Sequence, residues 1–117
     1  MKNFIEENLS DKFHKKGAMI KCVGNSNIHH LDYSSIVKLF EERGIVSFRD
    51  FEINPESILE FTNKYTKLYA ADANRRTNLF GKKNINTVDL GNHEMPLHSE
   101  ASYSPSWPEI IWFFCVI

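Results

Sequence analysis

The sequence closes on IIWFFCVI, residues 110 to 117, a run of eight apolar side chains after Pro108-Glu109. A strand with one wet face alternates apolar and polar residues, and a membrane-spanning helix needs about 20 apolar residues in a row. A short run that is apolar at both parities belongs instead in a strand covered on both faces and flanked by partner strands. The chain is therefore expected to build a sheet with other structure packed over it. A bare edge of this composition would be an aggregation hazard. Read by itself, the run implies that the chain ends in the middle of a core.

At 117 residues the chain is expected to form one domain at most, with a single core of modest size. The formal net charge of -1 excludes an electrostatic grip on nucleic acid. The opening MKNFIEENLSDKFHKK has no apolar segment of the secretory kind. Cys22 and Cys115 both sit in apolar, strand-like surroundings and read as reduced core thiols rather than a disulfide. These features point to a soluble, cytoplasmic protein with no membrane and no nucleic-acid partner.

Residues 2 to 9 suit a short helical turn. AMIKCV, residues 18 to 23, alternates as a strand and runs into the turn cluster Gly24-Asn25-Ser26-Asn27. His29 and His30 would face opposite ways on a strand, and they read as a solvated pair ahead of a helix. That helix has an N-cap in Asp32 and a stop in Gly44. Tyr33, Ile36, Val37 and Phe40 form its apolar face.

GIVSFRDF, residues 44 to 51, is a buried strand by composition, and Arg49 at its end reads as a structural ion pair or as a ligand clamp. Asn54-Pro55 opens a second helix, with Ile58, Phe61, Tyr65 and Leu68 on one face as far as about Tyr69. From Ala70 to Asn86 the pattern dissolves into a polar loop. Arg75 and Arg76 there would either attract an anionic ligand or serve solubility. Thr87 to Leu90 reads as a short strand.

The chemistry sits just before the terminal run, in MPLHSEASYSPSWPEIIWFFC. On an extended chain His98 and Glu100 share a face, about 7 Å apart. An imidazole and a carboxylate so placed make two-thirds of a 2-His-1-carboxylate triad, the donor set of non-haem Fe(II) oxygenases. Isolated, the same spacing also describes two polar residues on a strand edge. His93, five residues earlier, would need a tight turn at Met95-Pro96 to join them, and Glu94 is placed for a hydrogen bond to a ligating histidine. Ser102 and Tyr103 either line a pocket or form a turn.

The run PLHSEASYSPSWPEIIWFFC resembles the segment around the proximal metal ligands of the taurine dioxygenase (TauD/TfdA) superfamily of Fe(II)/2-oxoglutarate-dependent oxygenases. The likeness is to its His-x-Glu branch, the clavaminate synthase-like and SyrP-like hydroxylases. GIVSFRDF also resembles an early "G-x-V-x-F-R-G-F" strand of that superfamily, with Asp50 where glycine is frequent.

The resemblance implies an α+β chain, residues 1–117, forming the N-terminal portion of a single double-stranded β-helix (jelly-roll) domain with bracing helices, apparently truncated. It implies His98 and Glu100 as metal ligands, with Fe(II) and 2-oxoglutarate as cofactors. Position 93 is not used. The substrate implied is an amino acid, as a free small molecule or bound to a carrier protein. Halogenating relatives carry a small residue in place of the carboxylate, so Glu100 implies hydroxylation or desaturation.

The distal histidine and 2-oxoglutarate-binding arginine of the family find no counterpart, since no histidine follows His98 and no arginine follows Arg76. The chain is therefore expected to need a complementary chain or a homo-oligomer for activity. The alternatives are an inactive fragment, or a small β-domain that pairs with a partner through its C-terminal strand.

Overall fold

In the computed structural model, residues 3–9, 16–70, 77–88, 92–101 and 104–115 are described. The chain divides into two compact units, Met1–Tyr65 and Thr66–Ile117. The architecture is α+β.

The first unit is a three-stranded mixed sheet with two helices. Strands β1 (Phe4–Asn8), β2 (Ala18–Cys22) and β3 (Val46–Arg49) lie in the order β1-β2-β3. β1 runs antiparallel to β2 with Phe4 opposite Cys22, and β3 runs parallel to β2 with Ala18 opposite Val46. The parallel pair is joined through helix α1 (Tyr33–Arg43), as a parallel connection requires a crossover. Alternation along β2 places Ala18, Ile20 and Cys22 in the core. Residues 4 to 8 are thus a strand and not a helical turn. Local composition suits a helix there, but the ladder offered by β2 decides the matter.

Both ends of α1 follow from local chemistry. The Asp32 carboxylate accepts hydrogen bonds from the Ser34 hydroxyl at 2.7 Å, the Ser35 hydroxyl at 2.7 Å and the Ser35 N–H at 2.9 Å. Those bonds hold its pKa below the usual carboxylate value, the Ser34 hydroxyl contributing most. Gly44 ends the helix at φ 75°, a left-handed conformation that glycine adopts without a Cβ clash.

Helix α2 (Pro55–Asn63) begins with a capping box in which the Asn54 side chain and Ser57 bond each other's backbone N–H groups. It stops six residues before the expected end. Lys64 N–H bonds Phe61 O and Tyr65 N–H bonds Thr62 O, a tightened last turn, and Leu68 is left exposed.

Phe61 organises the packing. It is 1% exposed and lies edge-on to Phe48 of β3 at 5.3 Å, beside Tyr65 at 5.2 Å and His29 at 6.4 Å. His29 belongs to a short 3-10 turn, Ile28–His30, and its ring is half-buried with Nε2 3.4 Å from a Glu60 carboxylate oxygen. Only His30 of the expected solvated pair is exposed. Strand β3 is half-buried rather than interior.

Within the second unit, β4 (Asn78–Leu79) and β5 (Lys82–Asn86) form an antiparallel hairpin where a structureless loop was expected. Its two-residue turn has φ 55° at Phe80 and 65° at Gly81, positive at both centres as a type I′ turn demands. Thr77 and Thr87 extend the pairing, with Thr87 N–H bonding Thr77 O at 3.0 Å. Val88, at the expected short strand, is outside any ladder and exposed. Arg75, Arg76, Ser102 and Tyr103 lie outside the described residues.

The described part of the terminal run, residues 110 to 115, carries no ladder. Its exposure alternates: Ile111 and Phe113 are 47% and 80% exposed, with Ile110, Trp112 and Phe114 half-buried. Cys115 is exposed, which corrects the expectation of two buried thiols. Cys22 is buried, and both are free. No helix among the described residues is long and apolar enough to cross a membrane.

Candidate metal site

His98 and Glu100 come from a stretch with no hydrogen-bonded ladder of its own. Every residue from Asn92 to Ser99 is exposed, including Met95 and Leu97. Proline at 96 favours an extended conformation at Met95 and cannot donate a hydrogen bond. The His98 ring is exposed, and its Nδ1 lies 2.8 Å from the Pro96 carbonyl oxygen.

At Glu100 the surroundings change. Glu100 is half-buried and begins a turn, and the next residue, Ala101, is buried with φ 55°. Ser104 N–H closes that turn on Ala101 O at 2.8 Å. A non-glycine residue in the left-handed region costs about 1–2 kcal/mol. Such strain is found at ligand-binding positions.

A neutral imidazole nitrogen and a carboxylate oxygen are the donor types that suit Fe(II), so His98 and Glu100 fit the metal in kind. Among the described residues no group of three or more His, Cys, Asp or Glu side chains is gathered to hold a metal ion. His93 and Glu94 are both exposed, and the hydrogen-bond partner found at the His98 ring is the Pro96 carbonyl rather than Glu94. That carbonyl escaped the sequence reading because every residue offers one, and the residue types carry no signal for it. Arg49 is exposed at the end of β3, where the ion pair formed is Lys21 to Asp50 at 3.6 Å.

A protein-family model described as "Taurine catabolism dioxygenase TauD, TfdA family" matches residues 15–117, a span that includes the GIVSFRDF strand and the His98–Glu100 motif. No curated protein and no solved structure matches the chain.

Proposed function

The chain belongs to the TauD/TfdA family of dioxygenases, and on that premise we propose that it is part of an Fe(II)- and 2-oxoglutarate-dependent hydroxylase in which His98 and Glu100 hold the iron. The observation that carries the reading is the His-x-Glu pair inside the matched span, on an exposed stretch that ends in a strained turn. The jelly-roll barrel of the family is proposed with it.

His98 would supply a neutral nitrogen donor and Glu100 an anionic oxygen donor, with a third protein donor coming from elsewhere in the assembly. Iron bound with 2-oxoglutarate supplies the oxidising chemistry, coupling decarboxylation of the cosubstrate to oxidation of the substrate. As a ligand, Glu100 would take the place that a halide would otherwise need, which favours hydroxylation or desaturation. The substrate class is an amino acid, free or carrier-bound.

Anaerobic titration of the protein with Fe(II) and 2-oxoglutarate tests the reading through the weak visible metal-to-ligand charge-transfer band. A band that is lost in His98→Ala and in Glu100→Ala supports it. A band that survives both substitutions, or no band from a folded sample, overturns it.

A second reading is favoured by the exposed Ile111 and Phe113: the terminal run adds as a strand to another chain. Concentration-dependent association that is abolished by Phe113→Lys supports this reading. A monomer at all concentrations removes self-association through the run.

A further inference from the structure

We infer that the backbone carbonyl of Pro96 is a positioning group for His98, fixing the ring proton on Nδ1 so that Nε2 is the nitrogen offered to the metal. The inference rests on His98 being a metal ligand, the reading proposed above.

The geometry carries it. A carbonyl oxygen only accepts, so a contact of 2.8 Å from the Pro96 oxygen to Nδ1 is a hydrogen bond only if Nδ1 bears the proton. A neutral imidazole has one N–H. Placing it on Nδ1 leaves the lone pair on Nε2. Metal-binding histidines are commonly oriented in this way, with the second ring nitrogen donating to a carbonyl or carboxylate.

His98 is exposed, so burial does little to fix its ring. The ring is instead tied to its own chain two residues back. The tether is short, running from the Pro96 carbonyl through Leu97 to the His98 side chain.

The test reads the tautomer directly. In the metal-free protein labelled with 15N at histidine, long-range 1H–15N correlations distinguish a protonated ring nitrogen from one with a lone pair. Spectra are taken well above the ordinary histidine pKa of about 6.5. His98 is assigned by its loss in His98→Gln, and exposed His93 serves as the internal reference. One hydrogen bond to a carbonyl shifts the tautomer ratio by about two- to tenfold toward Nδ1–H. A ratio of Nδ1–H to Nε2–H no higher than that of His93 overturns the inference.

Zn(II), a spectroscopically quiet stand-in for Fe(II), is then added. A shift confined to Nε2 of His98 supports both the inference and the metal site. A shift at Nδ1 keeps His98 as a ligand but overturns the positioning role of Pro96. A ring held as Nδ1–H that Zn(II) and Fe(II) both leave unmoved overturns the metal reading, and the carbonyl then positions no ligand.

Discussion

Tyr33 and Tyr65 stack with ring centroids 4.9 Å apart and planes inclined by 23°, joining the first residue of α1 to the residue two past the end of α2. The Tyr65 ring also leans on Phe61, so the contact continues into the core. Burial pushes the Tyr65 phenol up from 10.0 to about 12, with smaller contributions from nearby Tyr33 and Asp32.

That shift makes a prediction at alkaline pH. The native state holds the phenol proton more tightly than the unfolded chain, so its contribution to stability is complete below pH 10. It is lost as pH rises toward about 12. In urea denaturation the wild-type chain should weaken across that window more steeply than Tyr65→Phe, which has no phenol to ionise. Parallel curves for the two proteins would show that Tyr65 titrates as an ordinary exposed tyrosine.

Phe61→Ala should be the most damaging single truncation in the first unit. Its side chain is almost wholly buried and meets Phe48, Tyr65 and His29 around one ring. Loss of a core phenylalanine costs about 3–5 kcal/mol, against a total of about 5–15 kcal/mol for ordinary domains. Near-ultraviolet circular dichroism should lose its aromatic signal or its cooperative thermal transition. A melting temperature within a few degrees of wild type would place the organising contact elsewhere.

Asp50 sits at φ 61°, in the left-handed region that glycine adopts without a Cβ clash. Its ion pair with Lys21 spans 3.6 Å between side chains that are both about half exposed, so it is worth about 0–1 kcal/mol. Relief of left-handed strain, about 1–2 kcal/mol, is offset by the extra freedom glycine has when unfolded, about 0.5–1 kcal/mol. Asp50→Gly should therefore change stability by only about −1 to +1.5 kcal/mol, and Asp50→Val should be clearly destabilising. Chemical denaturation that ranks valine above glycine here would contradict the backbone geometry.

How far the fold was legible follows from which forces decide each element. Helix α1 was readable from end to end because Asp32, Ile36 and Gly44 act within their own turns. Strand β1 was not, because Phe4 to Asn8 are committed by a ladder to residues fourteen or so further on, which no local pattern records. The end of α2 was misplaced because Tyr65 keeps the helical spacing yet packs from beyond the helix, against Tyr33. At the site, His98 and Glu100 were visible as residue types, and the Pro96 carbonyl was not. The terminal run shows its apolar character without its partners: Phe113 is 80% exposed in a segment that composition assigns to an interior.

The hairpin of the second unit was missed for a related reason, and that reason yields the last prediction. A two-residue type I′ turn is usually announced by Asn-Gly, whereas here Phe80 occupies the first left-handed position at φ 55°. The Phe80 side chain is about half exposed, so little burial rewards the strain. Phe80→Asn should stabilise the hairpin by about 1 kcal/mol, the scale of the left-handed penalty for an ordinary residue. Gly81→Val should do the reverse, because a β-branched residue resists φ 65°. Amide exchange at Thr87, whose N–H bonds the Thr77 carbonyl at 3.0 Å, reports hairpin opening. Its exchange should slow about fivefold in Phe80→Asn and accelerate in Gly81→Val. Faster exchange in Phe80→Asn would mean that the phenyl ring holds the turn through packing, and that this packing outweighs the backbone strain.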